Sequence, residues 1–106
     1  MKLSEMKNTQ KMIDLNSEEA QKLTEFEGTI VEETLDLEGN LIWRIEISKM
    51  ECLMAQKYTP LHLTKMKEIL TSLDVEDTVD LVNEPMKFKR FTFHIGYDRF
   101  LPVRFL

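Results

Sequence analysis

The sequence predicts an α+β fold: a curved, mainly antiparallel sheet of about four or five strands, made of two hairpins and packed with one amphipathic helix near residues 60–73 and a short N-terminal helix. Three observations predict it. Apolar and polar residues alternate in strand fashion over 29–49 and again over 86–105. Between those stretches Leu63, Met66, Ile69, Leu70 and Leu73 recur at helical spacing. The chain has 106 residues, 42% of them hydrophobic, with three Gly and three Pro, which suits one modest core and no low-complexity segment. Residues 16–106 read as a single domain, and 1–15, of mixed polarity and weak periodicity, as an N-terminal arm or frayed helix.

Ser17 followed by Glu18, Glu19 and Ala20 predicts the first helix, with a hydroxyl cap and carboxylates at the positive end of the helix dipole; Gly28 is expected to end it. The first hairpin turns at Gly39-Asn40. A two-residue loop would set Glu33 opposite Glu46 and Leu35 opposite Arg44. A three-residue loop, Glu38-Gly39-Asn40, pairs Leu37 with Leu41, Leu35 with Trp43 and Val31 with Ile47 on one apolar face, and is preferred because such pairs stabilise a sheet. It leaves Glu33 on that face, opposite Ile45.

Thr59-Pro60 is a strong helix start, since Thr caps and Pro at the first helical position gives up only an N–H that would be unpaired. Thr78 to Val82 then reads as a short strand, Asn83-Glu84-Pro85 as a turn and Met86 to Ile95 as a longer strand. With Tyr97-Asp98-Arg99 as the second loop, Ile95 meets Leu101, Phe93 meets Val103 and Phe91 meets Phe105. Pro102, which has no N–H for a ladder, implies an edge strand or an outward-facing position. A sheet of this shape is expected to roll toward a small barrel.

Motifs that carry chemistry are scarce. The lone Cys52 cannot form an intramolecular disulfide, so a reducing, cytoplasmic setting is expected; no run approaches the ~20 apolar residues of a membrane span. His62 and His94 lie far apart without partners at metal-ligand spacing, so no metal and no cofactor are expected; His62 reads as a surface residue and His94 as decoration on the outer face of a strand. Cys52, in the apolar run 52–55, reads as a buried inert thiol rather than a nucleophile. Glu33, a carboxylate aimed at an apolar face, is the other catalytic candidate, as a general acid, but no second positioned acid or base accompanies it.

Charge is more informative. The chain carries 14 Lys and Arg against 19 Asp and Glu, a net of −5. It falls in blocks: 14–46 hold ten acids and two bases, 68–84 hold six acids and no base, and 87–104 hold five bases and one acid. The acidic blocks point to a non-catalytic interaction protein, an adaptor or inhibitor that binds a basic surface of a larger protein through Glu32, Asp36, Glu38, Asp74, Glu76 and Asp77. A nucleic-acid-mimicking inhibitor of the kind a mobile element encodes fits this physical type. The alternative is a single-stranded nucleic-acid binder using Lys87, Lys89, Arg90, Arg99 and Arg104, because cations interleave with aromatics in 87–93. Against that stands neutralisation of the basic strand by the neighbouring segment Thr78-Val79-Asp80. A small enzyme centred on Glu33 or Cys52 is the remaining class.

Overall fold

A computed structural model of the chain describes residues 11–13, 18–94 and 97–106. In chain order these form β1 (Lys11–Ile13), α1 (Glu18–Gln21), β2 (Glu25–Leu35), β3 (Leu41–Ile47), β4 (Cys52–Tyr58), α2 (Pro60–Ser72), β5 (Pro85–His94) and β6 (Tyr97–Phe105), with short 3-10 turns at Ser48–Met50 and Thr78–Leu81. The class is α+β as predicted, but the sheet is mixed and has six strands, in the order β1-β4-β3-β2-β5-β6, with β1 parallel to β4. The N-terminal helix is a single turn. Its expected cap Ser17, and Ile95 of the second hairpin, lie outside the described residues. Gly28 does not end that helix; it sits within β2.

The sheet curls without closing. Although three strands separate β4 from β6, Gln56 Oε1 accepts the Phe100 N–H at 2.9 Å, Tyr58 donates its hydroxyl to the Phe100 carbonyl at 2.8 Å, and Arg99 Nε reaches the Lys57 carbonyl at 2.7 Å. Side chains of β4 thus satisfy the outward backbone groups of an edge strand, which would otherwise template aggregation. Pro102 sits two residues along on β6, so the ladder loses no donor there. The concave side holds the core: Phe26, Ile30, Trp43, Ile45, Ile47, Met54, Tyr58, Met86, Phe88 and Phe100 are all buried. Phe26 stacks on Phe88 at 5.1 Å and meets Phe100 edge-on at 4.9 Å. Helix α2 packs against β6 and the end of β4, and its Met66 and Leu70 join the same core.

Both hairpins differ from the sequence expectation in register. The first loop spans 36–40, with Leu35 opposite Leu41 and Glu33 opposite Trp43, not Ile45. Asp36 accepts the Glu38 and Asn40 N–H groups, each at 2.9 Å, and Gly39 takes a φ of +83°, so an aspartate-centred turn replaces the three-residue loop. An irregularity between Ile30 and Glu32 then shifts the pairing: inward residues are Phe26, Gly28 and Ile30 before it and Glu33 after it. Val31 and Leu35 are therefore exposed rather than in the apolar cluster. The second hairpin is tighter than predicted: His94 pairs with Tyr97, Phe91 with Arg99 and Met86 with Phe105, so Tyr97, Asp98 and Arg99 belong to β6. Residues 78–81 form a 3-10 turn, not a strand, because Asp77 accepts the Val79 N–H and caps it.

Gly28 is required by contact. A Cβ there would lie 2.6 Å from the Glu46 carbonyl oxygen and 2.9 Å from the Phe26 ring. Gly28→Ala is expected to lower stability by about 1–3 kcal/mol, the range for overpacking a core; a urea midpoint equal to the parent's would contradict this contact.

Candidate functional site

The sequence-derived acids fall in two places. Asp36 pairs with Lys57 at 3.0 Å, three residues ahead of α2, whereas 74–77 follow the last turn of that helix. The 13-residue helix, about 20 Å long, separates the two blocks. Asp36 and Asp77 are occupied with local structure; backbone donation from Asn40, with help from Lys57, holds the Asp36 carboxyl down to about 2. Glu38 is exposed and takes only a 3.4 Å bond from Asn40 Nδ2, and Glu32 faces Arg44 across the hairpin. Asp74 and Glu76 are exposed and make no ion pair among the described residues.

The geometry around Asp74 is specific. Helix α2 ends with the Asp74 N–H on the Thr71 carbonyl at 3.1 Å and the Val75 N–H on the Leu70 carbonyl at 2.9 Å, a Schellman closure that brings Val75 back over Leu70. Its left-handed position, φ +59°, is filled by Asp74 where glycine is favoured. Carboxylates also sit poorly at the negative end of a helix dipole. Asp74→Gly should therefore stabilise the fold by about 1 kcal/mol, read as a raised denaturation midpoint; a lowered midpoint would contradict the strain.

Between α2 and the returning segment runs an open groove of about 630 Å³, lined by Leu63, Met66, Leu70 and Val75, with Lys67, Thr71, Asp74, Glu76 and Thr78 at its margins. Nothing in the sequence pattern marked this groove. Leu63, Met66 and Leu70 were legible as an apolar helix stripe; Met66 and Leu70 are buried, and Leu63 and Val75 are half-buried.

The basic residues divide differently. Lys87 pairs with Glu25 at 2.9 Å, and Lys87, Lys89 and Arg104 together pull the Glu25 carboxyl below its usual value, the Lys87 hydrogen bond first. Cross-strand neutralisation thus comes from β2, which pairs with β5, and not from Asp80. Arg90 lies apart from these: it turns inward over the Phe100 ring, donates to the Leu23 and Ala20 carbonyls and pairs with Asp98 at 2.9 Å. Arg99 binds the Lys57 and Asp98 carbonyls.

Glu33 does lie on the apolar face, half-buried, where its carboxylate accepts the Trp43 indole N–H at 2.8 Å. Cys52 is buried in the core. It is four strand positions, about 13 Å, from Gln56, which stands beside Trp43 in the sheet, so the two catalytic candidates are not brought together. His94 is exposed. His62 is not a surface residue: it is 1% exposed, between the Tyr58 and Phe93 rings. Its Nδ1 accepts the Thr59 N–H at 2.9 Å and completes a capping box, while Nε2 has no hydrogen-bond partner among the described residues. Spacing held the clue, since His62, Met66 and Leu70 form one buried stripe.

Burial, and then the Arg99 charge, lower the His62 pKa below its ordinary 6.5. A histidine kept neutral when folded binds its proton more readily when unfolded, so stability is held above about pH 6.5 and lost as pH falls toward the lowered folded value. His62→Gln, which keeps a capping acceptor, should flatten this part of the stability profile between roughly pH 5 and 7. Identical profiles for parent and variant would contradict the assignment.

Among the described residues no cluster of His, Cys, Asp and Glu is arranged to hold a metal ion, and no helix is long and apolar enough to cross a membrane. The chain matches no protein-family model, no curated protein and no solved structure.

Proposed function

We propose that this protein is a non-catalytic interaction module, an adaptor or inhibitor, that binds a basic surface of a larger protein through acidic side chains. The observation that carries this reading is the division of charge. Of the five cations in 87–104, Lys89 and Arg104 are exposed and make no ion pair among the described residues, but the other three are engaged within the fold, Lys87 by Glu25, Arg90 by Asp98 and backbone carbonyls, and Arg99 by backbone carbonyls. The acids after α2 are not: Asp74, Glu76, Asp80 and Glu84 are exposed and make no ion pair among the described residues. An electronegative surface of this kind raises the association rate of a cationic partner and loses that advantage as salt screens it.

A calorimetric titration with a synthetic lysine- and arginine-rich peptide tests the reading. Binding at low ionic strength that weakens steadily as salt is added supports it. No heat of binding at low salt, under conditions where the protein is folded, rejects it.

A further inference from the structure

We infer that the groove between α2 and residues 74–78 receives a basic segment of the partner that also carries one large aliphatic side chain, the aliphatic group entering the groove and the flanking cations meeting Asp74 and Glu76. This rests on the reading of the protein as a binder of basic segments and adds to it a place and a composition. The floor of the groove is apolar, half-buried Leu63 and Val75 lying over buried Met66 and Leu70, beside a space of about 630 Å³, enough for a side chain of leucine size and part of its backbone. Its margin carries two carboxylates against one cation, Lys67. The last carbonyls of α2 add the negative end of the helix dipole on the same side. An acidic partner would meet repulsion from both carboxylates and the helix terminus, and an uncharged apolar one would leave both carboxylates facing it without a counterion.

Asp74 strengthens the inference. At φ +59° glycine would close the helix with less strain, and a cation or neutral residue would suit the helix terminus better. A residue that fits its local position poorly is expected where it serves a contact outside the chain. Asp74 stands at the margin of the groove, beside Val75, whose N–H bond to Leu70 draws the floor together.

Two peptides of equal charge separate this inference from the broader one: a lysine-rich peptide with a central leucine, and the same peptide with serine in that place. Each is titrated into isotopically labelled protein and followed by amide chemical shifts. The leucine peptide should bind at least about tenfold tighter, the lower end of the effect of burying one such side chain, and should move the amides of Leu63, Leu70, Val75, Glu76 and Thr78. Asp74→Gly/Glu76→Gln should weaken both peptides while melting no lower than the parent, so that the loss cannot come from unfolding. Equal binding of the two peptides, or shifts confined to the 36–40 hairpin, would overturn the groove while leaving the acidic reading in place. Failure of both peptides to bind would overturn both.

Discussion

Deleting residues 101–106 should abolish cooperative folding. Leu101 is fully buried, Pro102 is buried, and residues 101–105 supply one side of the β5–β6 ladder from Lys89 to Met86. Without them Met86 and Phe88 lose the strand that covers them, and α2 loses part of the surface on which it packs. Each large apolar side chain returned to water costs about 1.5–3 kcal/mol, and a domain of this size has about 5–15 kcal/mol in total. The Phe100 backbone, clamped between Gln56 and Tyr58, would become the end of a chain rather than the middle of a strand. Deleting only Phe105 and Leu106, both substantially exposed, should leave a folded protein. Near-ultraviolet circular dichroism and thermal melting distinguish the two deletions; a cooperative transition after the six-residue deletion would contradict the role given to β6.

Trp43→Ala should cost about 3–5 kcal/mol, the range for emptying a large aromatic site. Trp43 is fully buried, meets Tyr58 edge-on at 5.1 Å and is the donor that holds Glu33. The neighbours that would have to collapse into the space, Tyr58 and Gln56, are fixed to Phe100 across the open side of the sheet, so relaxation is limited. Trp43→Phe keeps a ring but no N–H; half-buried Glu33 can turn back to water, and the loss should be smaller. Urea unfolding followed by circular dichroism reads both, since the substitutions remove the chain's single tryptophan. A loss under about 1 kcal/mol for Trp43→Ala would mean the site closes up and the core is not pinned as described.

The fold class, the helix from Pro60 and the edge position of β6 were legible because each rests on a local signal: alternation, a Thr-Pro start, a proline without an N–H. Register was not. Glu33 reaches the apolar face through an irregularity at residue 31 and an aspartate-centred loop, and neither leaves a mark in the hydrophobic pattern. The strand β4 was hidden because its inward stripe, Cys52, Met54, Gln56 and Tyr58, contains a polar residue whose use appears only when Phe100 arrives from 44 residues away. At the candidate site the sequence marked the charge of Asp74 and Glu76 and the helix stripe Leu63, Met66 and Leu70, but not the groove, which takes shape where the Schellman closure folds Val75 back over α2.

Lys87, Arg90 and Arg99 are engaged within the fold, whereas Asp74, Glu76, Asp80 and Glu84 are exposed and make no ion pair among the described residues. The most direct measurement compares two probes on the folded protein at the same low ionic strength: the leucine-containing basic peptide and a single-stranded oligonucleotide. The account predicts that the peptide binds, with affinity falling as salt rises, and that the oligonucleotide does not bind. Tight oligonucleotide binding that is lost when Lys87, Lys89 and Arg104 are neutralised, with no binding of the peptide, would contradict it.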